Sequence, residues 1–423
     1  MKTFFSKLNI RQSLNFHSWL GLWFCGLVYL VCLSGSFTVL FEEFERLEQP
    51  HISEYQTFSP ALIAPAIAEY NNRVQTQVDT LYIVLPTDGL PRTHITDGVQ
   101  EWFLAEDGSF EDQPHTPWTS MLKELHTNLH LPHIIGMSLV GFVGIIILAL
   151  IISGIIAHPK IFKQAFLLRT DKSKHQQQMD LHNRLGVWGI PFHLMIALTG
   201  AFIGLSSVLI AIGAALYFDN DEHAMVNAIY GSDPIVISQG EPIDYVQAFA
   251  TLKTLAPSAQ PIYIAIHKQG SEQQLLEIAA TLPGRLTYSE MYRFNPKGEL
   301  VDQQGLSNGP AGRQVAYSTY RLHFGHFDSF WVKIIYLLMG LSLTYVCVTG
   351  THIWLEKRKV ISWANHAWKA WVWGVPLALI LSYLLTLIGM NATVTFWLSL
   401  SAGSCVYVLI KNTRANLKTK VSF

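Results

Sequence analysis

Charge is what this chain has least of. Only 14% of its 423 residues are Asp, Glu, Lys or Arg, while half are hydrophobic; a soluble protein of this size carries about a quarter charged residues. An ordinary water-soluble globule is therefore excluded. Lys plus Arg (29) and Asp plus Glu (30) leave a formal charge of −1, so nothing suggests nucleic-acid binding. Cysteine is scarce as well. Cys25, Cys32, Cys347 and Cys405 all lie in apolar runs and form no CxxC pair. They read as small core residues, and no disulfide braces the polar segments. No GxGxxG follows a strand, and no flavin, nicotinamide or Walker signature is present, so the chain carries no nucleotide domain of its own. No HExxH or Ser-His-Asp arrangement is evident, which removes proteolysis.

Apolar runs fill the space that charge leaves. They fall near 18–41, 134–157, 187–217, 330–354, 371–390 and 393–410, and most reach the ~20 residues that cross a bilayer core. The "GMNAT" between the last two is a tight turn, so they form a helical hairpin and the chain has six spans. The first run is too long for a signal-peptide core and reads as an uncleaved span. Lys2, Lys7 and Arg11 precede span one; Lys160, Lys163, Arg169, Lys172, Lys174 and Arg184 lie between spans two and three; Lys357, Arg358 and Lys359 follow span four; Lys411, Arg414, Lys418 and Lys420 close the chain. With six alternating spans all of these fall on one side, which makes that side and both termini cytoplasmic. The acid-rich segments 42–125 and 218–320 then face outward. The expected divisions are 1–41 (terminus and span one), 42–125 (first outward domain), 126–217 (spans two and three), 218–320 (second outward domain), 321–360 (span four) and 361–423 (hairpin and tail).

The chain repeats itself. "NFHSWLGLW" at 15–23 is echoed by "DLHNRLGVW" at 180–188, and the spacing from His17 to Gly35 equals that from His182 to Gly200, 18 residues. "LHTNLH" ends at His130 and "LHFGH" at His326, and both lie 24 residues before a span glycine, Gly154 and Gly350. Between the paired spans each half has a helix-like stretch ("PALIAPAIAEYN", "IDYVQAFATLKTL") and β-rich runs closed by Asp-Gly or Lys-Gly turns ("TLYIVLP", "EWFLAEDGSFED"; "PIYIAIH", "LLEIAATL", "YRFNPKGELVD"). The expected fold is an α-helical membrane protein with α+β outward domains: a pseudo-symmetric four-helix bundle plus a C-terminal hairpin.

Ten of the 17 histidines stand at span ends. His17 and His182 are equivalent at the inner threshold, His130 and His326 at the outer. His126 precedes His130 by four residues and His323 precedes His326 by three, spacings that share a helix face. His133 adds an outer ring; His158, His193 and His352 add inner ones. His193, 11 residues past His182, would lie roughly 16 Å deeper on the same helix face and is an alternative inner ligand. Imidazole is a common ligand of haem iron, and bundles build such sites from facing helices. The Ser-Gly and Thr-Gly steps supply small residues that admit a macrocycle. A single threshold histidine is ordinarily an interfacial anchor; four at matched spacing favour haem held through His130 with His326 and His17 with His182. Trp19, Trp23, Trp188 and Trp354 read as interface anchors or as relays between two such sites.

"FHSWLGLW", "LHTNLHLPHIIGMSLVG", "DLHNRLGVWGIPFHLM" and "RLHFGHF" with "VTG" and "LEKRK" resemble the PepSY-associated transmembrane proteins over roughly residues 10–360. The resemblance implies PepSY-like periplasmic domains, two haem b groups, a place in the bacterial inner membrane and reduction of ferric siderophores in the periplasm. It puts His17, His130, His182, His193, His323 and His326 at motif positions. The electron donor would be membrane quinol or a cytoplasmic reductase, and Arg285, Arg293 and Arg313 are candidate docking groups for the chelate. Two other readings stay open: a non-catalytic PepSY binding or regulatory module, and an iron-chelate transporter.

Overall fold

The computed structural model describes residues 7–421 except 76–77, 159, 167–172, 233, 235, 237–239, 305–308, 328 and 358–361. Lys2, Arg169, Lys172, Arg358 and Lys359, counted above in the basic flank, lie outside the described residues. In chain order the elements are α1 (Lys7–Thr38), α2 (Phe41–Glu48), a 3-10 turn (Pro60–Leu62), α3 (Ile63–Val74), β1 (Thr80–Val84), β2 (Thr93–Thr96), β3 (Glu101–Leu104), α4 (Pro117–Thr127) and α5 (His133–Ala157). There follow α6 (Ile161–Gln164), α7 (Lys174–Trp188), α8 (Ile190–Gly204), α9 (Ser206–Tyr217), α10 (Glu222–Tyr230) and α11 (Tyr245–Leu255). Then come β4 (Gln260–His267), β5 (Leu275–Thr281), β6 (Glu290–Phe294), β7 (Leu300–Gln304), α12 (Ala311–Phe324), α13 (Phe330–Lys357), α14 (Ser362–Thr386) and α15 (Ala392–Val421). They divide into two units: residues 1–41, 117–207 and 331–423, and residues 42–116 and 208–330.

The first unit is helical. Among the described residues five helices are long and apolar enough to cross a membrane, six if α7 and α8 count as one broken span. Span three differs from the sequence expectation here. Instead of one helix, α7 and α8 meet at a 67° bend. Pro191 explains the break, because it lacks the N–H that would pair with Val187 and its ring crowds that carbonyl. The bend also ends the expectation that His193 continues the face of His182.

Small residues let backbones meet. A Cβ on Gly204 would stand 2.6 Å from the Gly141 Cα, and one on Gly144 2.7 Å from the Ala197 carbonyl oxygen, so α5 and α8 pack backbone to backbone. The C-terminal pair α14 and α15 is a hairpin as expected, turning through Gly389 at φ 83°. It is keyed to the rest of the unit by buried polar bonds. Pro376 sits inside α14 and leaves the Val372 carbonyl without its helical donor. The Tyr29 hydroxyl donates to that carbonyl at 2.6 Å. Trp371 Nε1 donates to the Gly26 carbonyl at 3.1 Å, and Trp118 Nε1 to the Leu379 carbonyl at 3.1 Å. In a medium without water such bonds have no competitor.

The second unit holds a seven-stranded antiparallel sheet in the order β3-β2-β1-β4-β5-β6-β7. The sequence leads one to expect two separate small sheets. Instead β1 and β4 pair, with Thr80 opposite His267 and Val84 opposite Tyr263. A three-stranded sheet ending on β1 would leave an open edge, and pairing it with β4 removes that edge. The anticipated helices are α3 and α11. Both lie on one face, where Ile67, Tyr70, Ala248 and Leu252 pack with Leu81, Ile83, Ile264 and Ile278. Asp244 caps α11 by accepting from the Gln247 N–H at 2.9 Å. Boundaries shift too: α4 belongs with the helical unit, and residues 208–230, expected in part as span three, belong with the sheet.

Candidate functional site

An imidazole has two nitrogens, and where one goes decides what the other can do. His17, in α1, donates Nδ1–H to the Leu150 carbonyl of α5 at 2.9 Å, with Ser153 Oγ at 3.2 Å. The Ser153 hydroxyl proton goes to the Ala149 carbonyl at 2.6 Å, which leaves its oxygen lone pairs for the ring. Gly154 lies beneath that ring; a Cβ there would stand 3.3 Å from His17 Cε1. His182, in α7, makes the same arrangement on α13. Its Nδ1 is 3.0 Å from the Val346 carbonyl and 3.2 Å from Thr349 Oγ1, and a Cβ on Gly350 would stand 3.0 Å from its Cε1. Each seat is a carbonyl, a hydroxyl three residues on and a glycine one further.

With Nδ1 committed as donor, Nε2 is the lone-pair nitrogen. Neither His17 nor His182 has a hydrogen bond to Nε2 among the described residues. Both line a cavity of about 710 Å³ between α1, α5, α7, α8 and α13, within the usual size of small-molecule sites. Their ring centres are 6.3 Å apart, with planes crossing at 83°. A ligating imidazole nitrogen lies about 2 Å from its metal and about 1 Å from its own ring centre, so two rings on one metal have centres about 6 Å apart. The pair therefore fits two ligands on opposite sides of one metal. A carbonyl on the second ring nitrogen is also the usual support of a metal-bound histidine. Among the described residues no group of three His, Cys, Asp or Glu could hold a metal ion.

The structure thus brings together His17 and His182, as the duplication suggests. It also shows a pairing the spacing conceals. Each histidine sits over a glycine of another helix and not over the glycine of its own span.

The same test changes the outer assignment. His126, in α4, has Nδ1 3.1 Å from the Val31 carbonyl of α1, and its ring lies against Gly35, whose Cβ would stand 2.8 Å from Nδ1. Val31, Ser34 and Gly35 repeat the carbonyl, hydroxyl and glycine register. His130, which the sequence favours as outer ligand, has both nitrogens occupied: Nε2 donates to the Met121 carbonyl at 2.8 Å and Nδ1 accepts from Trp397 Nε1 at 2.9 Å. Of the two, His126 has the seat that repeats those of His17 and His182. Ile196, Thr199 and Gly200 on α8 carry the register a fourth time.

His323 and His326 belong to the sheet-bearing unit. There His326 sits among Tyr288, Tyr320 and Phe324, with ring centres 5.7–6.1 Å away, and 3.8 Å from a Glu42 carboxylate oxygen. His193 is 1% exposed, lines the same cavity as His17 and leaves Nε2 unpaired. His158 lies at the cavity rim, whereas His352 is outside its lining. His133 is exposed at the start of α5. Of the three arginines considered for docking, Arg293 is buried and bound to Glu277 at 2.9 Å and Asp302 at 3.1 Å, so it serves the sheet. Arg313 donates to the Ile229 carbonyl at 2.8 Å.

Comparison with known families matches residues 14–357 to the PepSY-associated TM region. The chain belongs to the PepSY-associated TM family. Its match takes in both histidine seats and all seven strands, and leaves the α14–α15 hairpin outside. Among curated proteins, an uncharacterized protein of Pseudomonas aeruginosa is 24% identical to this PepSY-associated protein over 256 residues, 57% of this chain and 64% of that one. The chain thus spans just under two thirds of that relative's length.

Proposed function

We propose that this protein is a di-haem b oxidoreductase of the bacterial inner membrane that passes electrons from a cytoplasmic or quinol donor to ferric chelates, ferric siderophores in particular, on the periplasmic side. The observation that carries this reading is the His17–His182 pair: 6.3 Å between ring centres, both Nδ1 atoms on backbone carbonyls, both Nε2 atoms unpaired. Haem would supply one-electron redox chemistry.

The protein's own part is to fix the imidazoles. The Leu150 and Val346 carbonyls hold each ring in the tautomer that presents Nε2. The glycines let α5 and α13 come close enough for those bonds. At the outer end His126, on its Val31 seat, is the candidate ligand of the second group. Reduction of ferric iron loosens a chelate of hard oxygen donors, because the ferrous ion is a poorer match for them.

A reduced-minus-oxidised spectrum of the purified, haem-replete protein tests this. A Soret band, a sharp α band on dithionite addition and two haems per chain are expected. A haem-free chain ends the proposal and leaves the PepSY binding-module reading.

A further inference from the structure

The cavity around His17 and His182 has two unlike ends. Toward one end lie Val28, Ile147, Leu343 and the buried His193. Toward the other lie His158, which caps α5, Lys357 at the end of α13, and His175 on α7. Helix geometry separates them: Leu343 and Lys357 are both on α13, so the ends are about 21 Å apart, and the Gly350 seat lies between them. No Asp or Glu lines the cavity among the described residues. Glu356 stands just outside the lining and holds His175 Nδ1 at 3.0 Å.

We infer that this rim is an anion subsite: Lys357, His158 and His175 receive the carboxylate edge of the occupant and so fix which way round it lies. The inference rests on the haem reading above and extends it. A porphyrin dicarboxylate is an apolar disc with both charges on one edge. With its metal between His17 and His182, the disc has only two ways to point that edge along the bundle. Pointed at Val28, Ile147 and Leu343, the carboxylates would lose their hydration and meet no counter-charge. At the other end they meet a lysine ammonium and two imidazoles with water within reach, and charge-assisted hydrogen bonds form there without full desolvation. The apolar end suits the vinyl and methyl edge of the same disc.

The test is binding, with no turnover involved. The full-length chain, produced without haem and held in detergent, is titrated with ferric protoporphyrin IX and, separately, with its dimethyl ester, following the Soret shift. The wild-type chain should prefer the free acid. Lys357→Gln combined with His158→Gln should weaken free-acid binding by about tenfold or more while leaving ester binding and the low-spin bis-imidazole spectrum unchanged, because His17 and His182 are untouched. A double variant that keeps the wild-type preference overturns the subsite. So does a wild-type chain that takes both porphyrins equally with a bis-imidazole spectrum, an outcome that leaves the haem reading standing. A chain that takes up neither porphyrin overturns both.

Discussion

The two histidine seats of the bundle are the same device built on different helices. His17 comes from α1, an unbroken 32-residue helix. His182 comes from α7, a 15-residue helix that meets α8 at 67°. Yet each ring makes the same two bonds to the same register, Leu150, Ser153 and Gly154 on α5 and Val346, Thr349 and Gly350 on α13. The local contact is therefore the same in both seats although the path of the helix differs. The differences that remain are small and specific. The second seat is the tighter, 3.0 Å from glycine Cβ position to ring against 3.3 Å in the first. Its hydroxyl is a threonine, not a serine. And where α8 places His193 in the cavity wall, α1 places Val28. The buried arginine of the sheet makes a useful contrast. Arg293 is surrounded by Glu277, Asp302 and the Ser232 carbonyl, a closed arrangement, whereas each seated histidine keeps one nitrogen facing a cavity.

Removing a ring should separate the seats from their surroundings most strongly. His17→Ala or His182→Ala should each abolish the low-spin signal of the inner group, while the group at His126 keeps its own; electron paramagnetic resonance reads both, and a retained two-site spectrum in either variant breaks the pairing. Next in size is the glycine beneath the ring. Gly350→Ala should lower inner haem content more than Gly154→Ala does, because its Cβ meets the ring 0.3 Å sooner (3.0 against 3.3 Å); pyridine-haemochrome assay checks the order, and the reverse order means the seats differ in some other way. The hydroxyls come last. Ser153→Ala and Thr349→Val leave the backbone carbonyl in place, so each should weaken haem affinity by less than about tenfold, the low end of what support residues contribute. Equal, small effects support equivalent seats. A loss in one variant as large as that from removing the histidine shows that its hydroxyl carries that seat.

Much of this was legible beforehand, and the reasons are physical. Hydropathy located the spans because lipid demands a long apolar helix whatever it packs against. Period-two runs with Asp-Gly and Lys-Gly turns gave β1, β3 and the strands from β4 to β7; β2, four residues of "THIT", was too short to stand out. The closing of both strand sets into one sheet was not readable, because strand partners are chosen across 175 residues (85–259) of intervening chain. Pro191 was in view, but a proline in a transmembrane run is often tolerated, and only the packing of α8 on α5 shows that the helix breaks there.

The sequence by itself determined that the chain spans a membrane, that its halves are related and that histidine stands at the same place in each. Tertiary structure alone decided which imidazoles are available. His130 and His126 have the same chemistry and lie four residues apart, yet Trp397 and Met121 take both nitrogens of the first, while the second is seated by Nδ1 on the Val31 carbonyl over Gly35. A ring's lone pair is free or taken according to which neighbour the fold brings within three ångströms, and those neighbours come from distant parts of the chain.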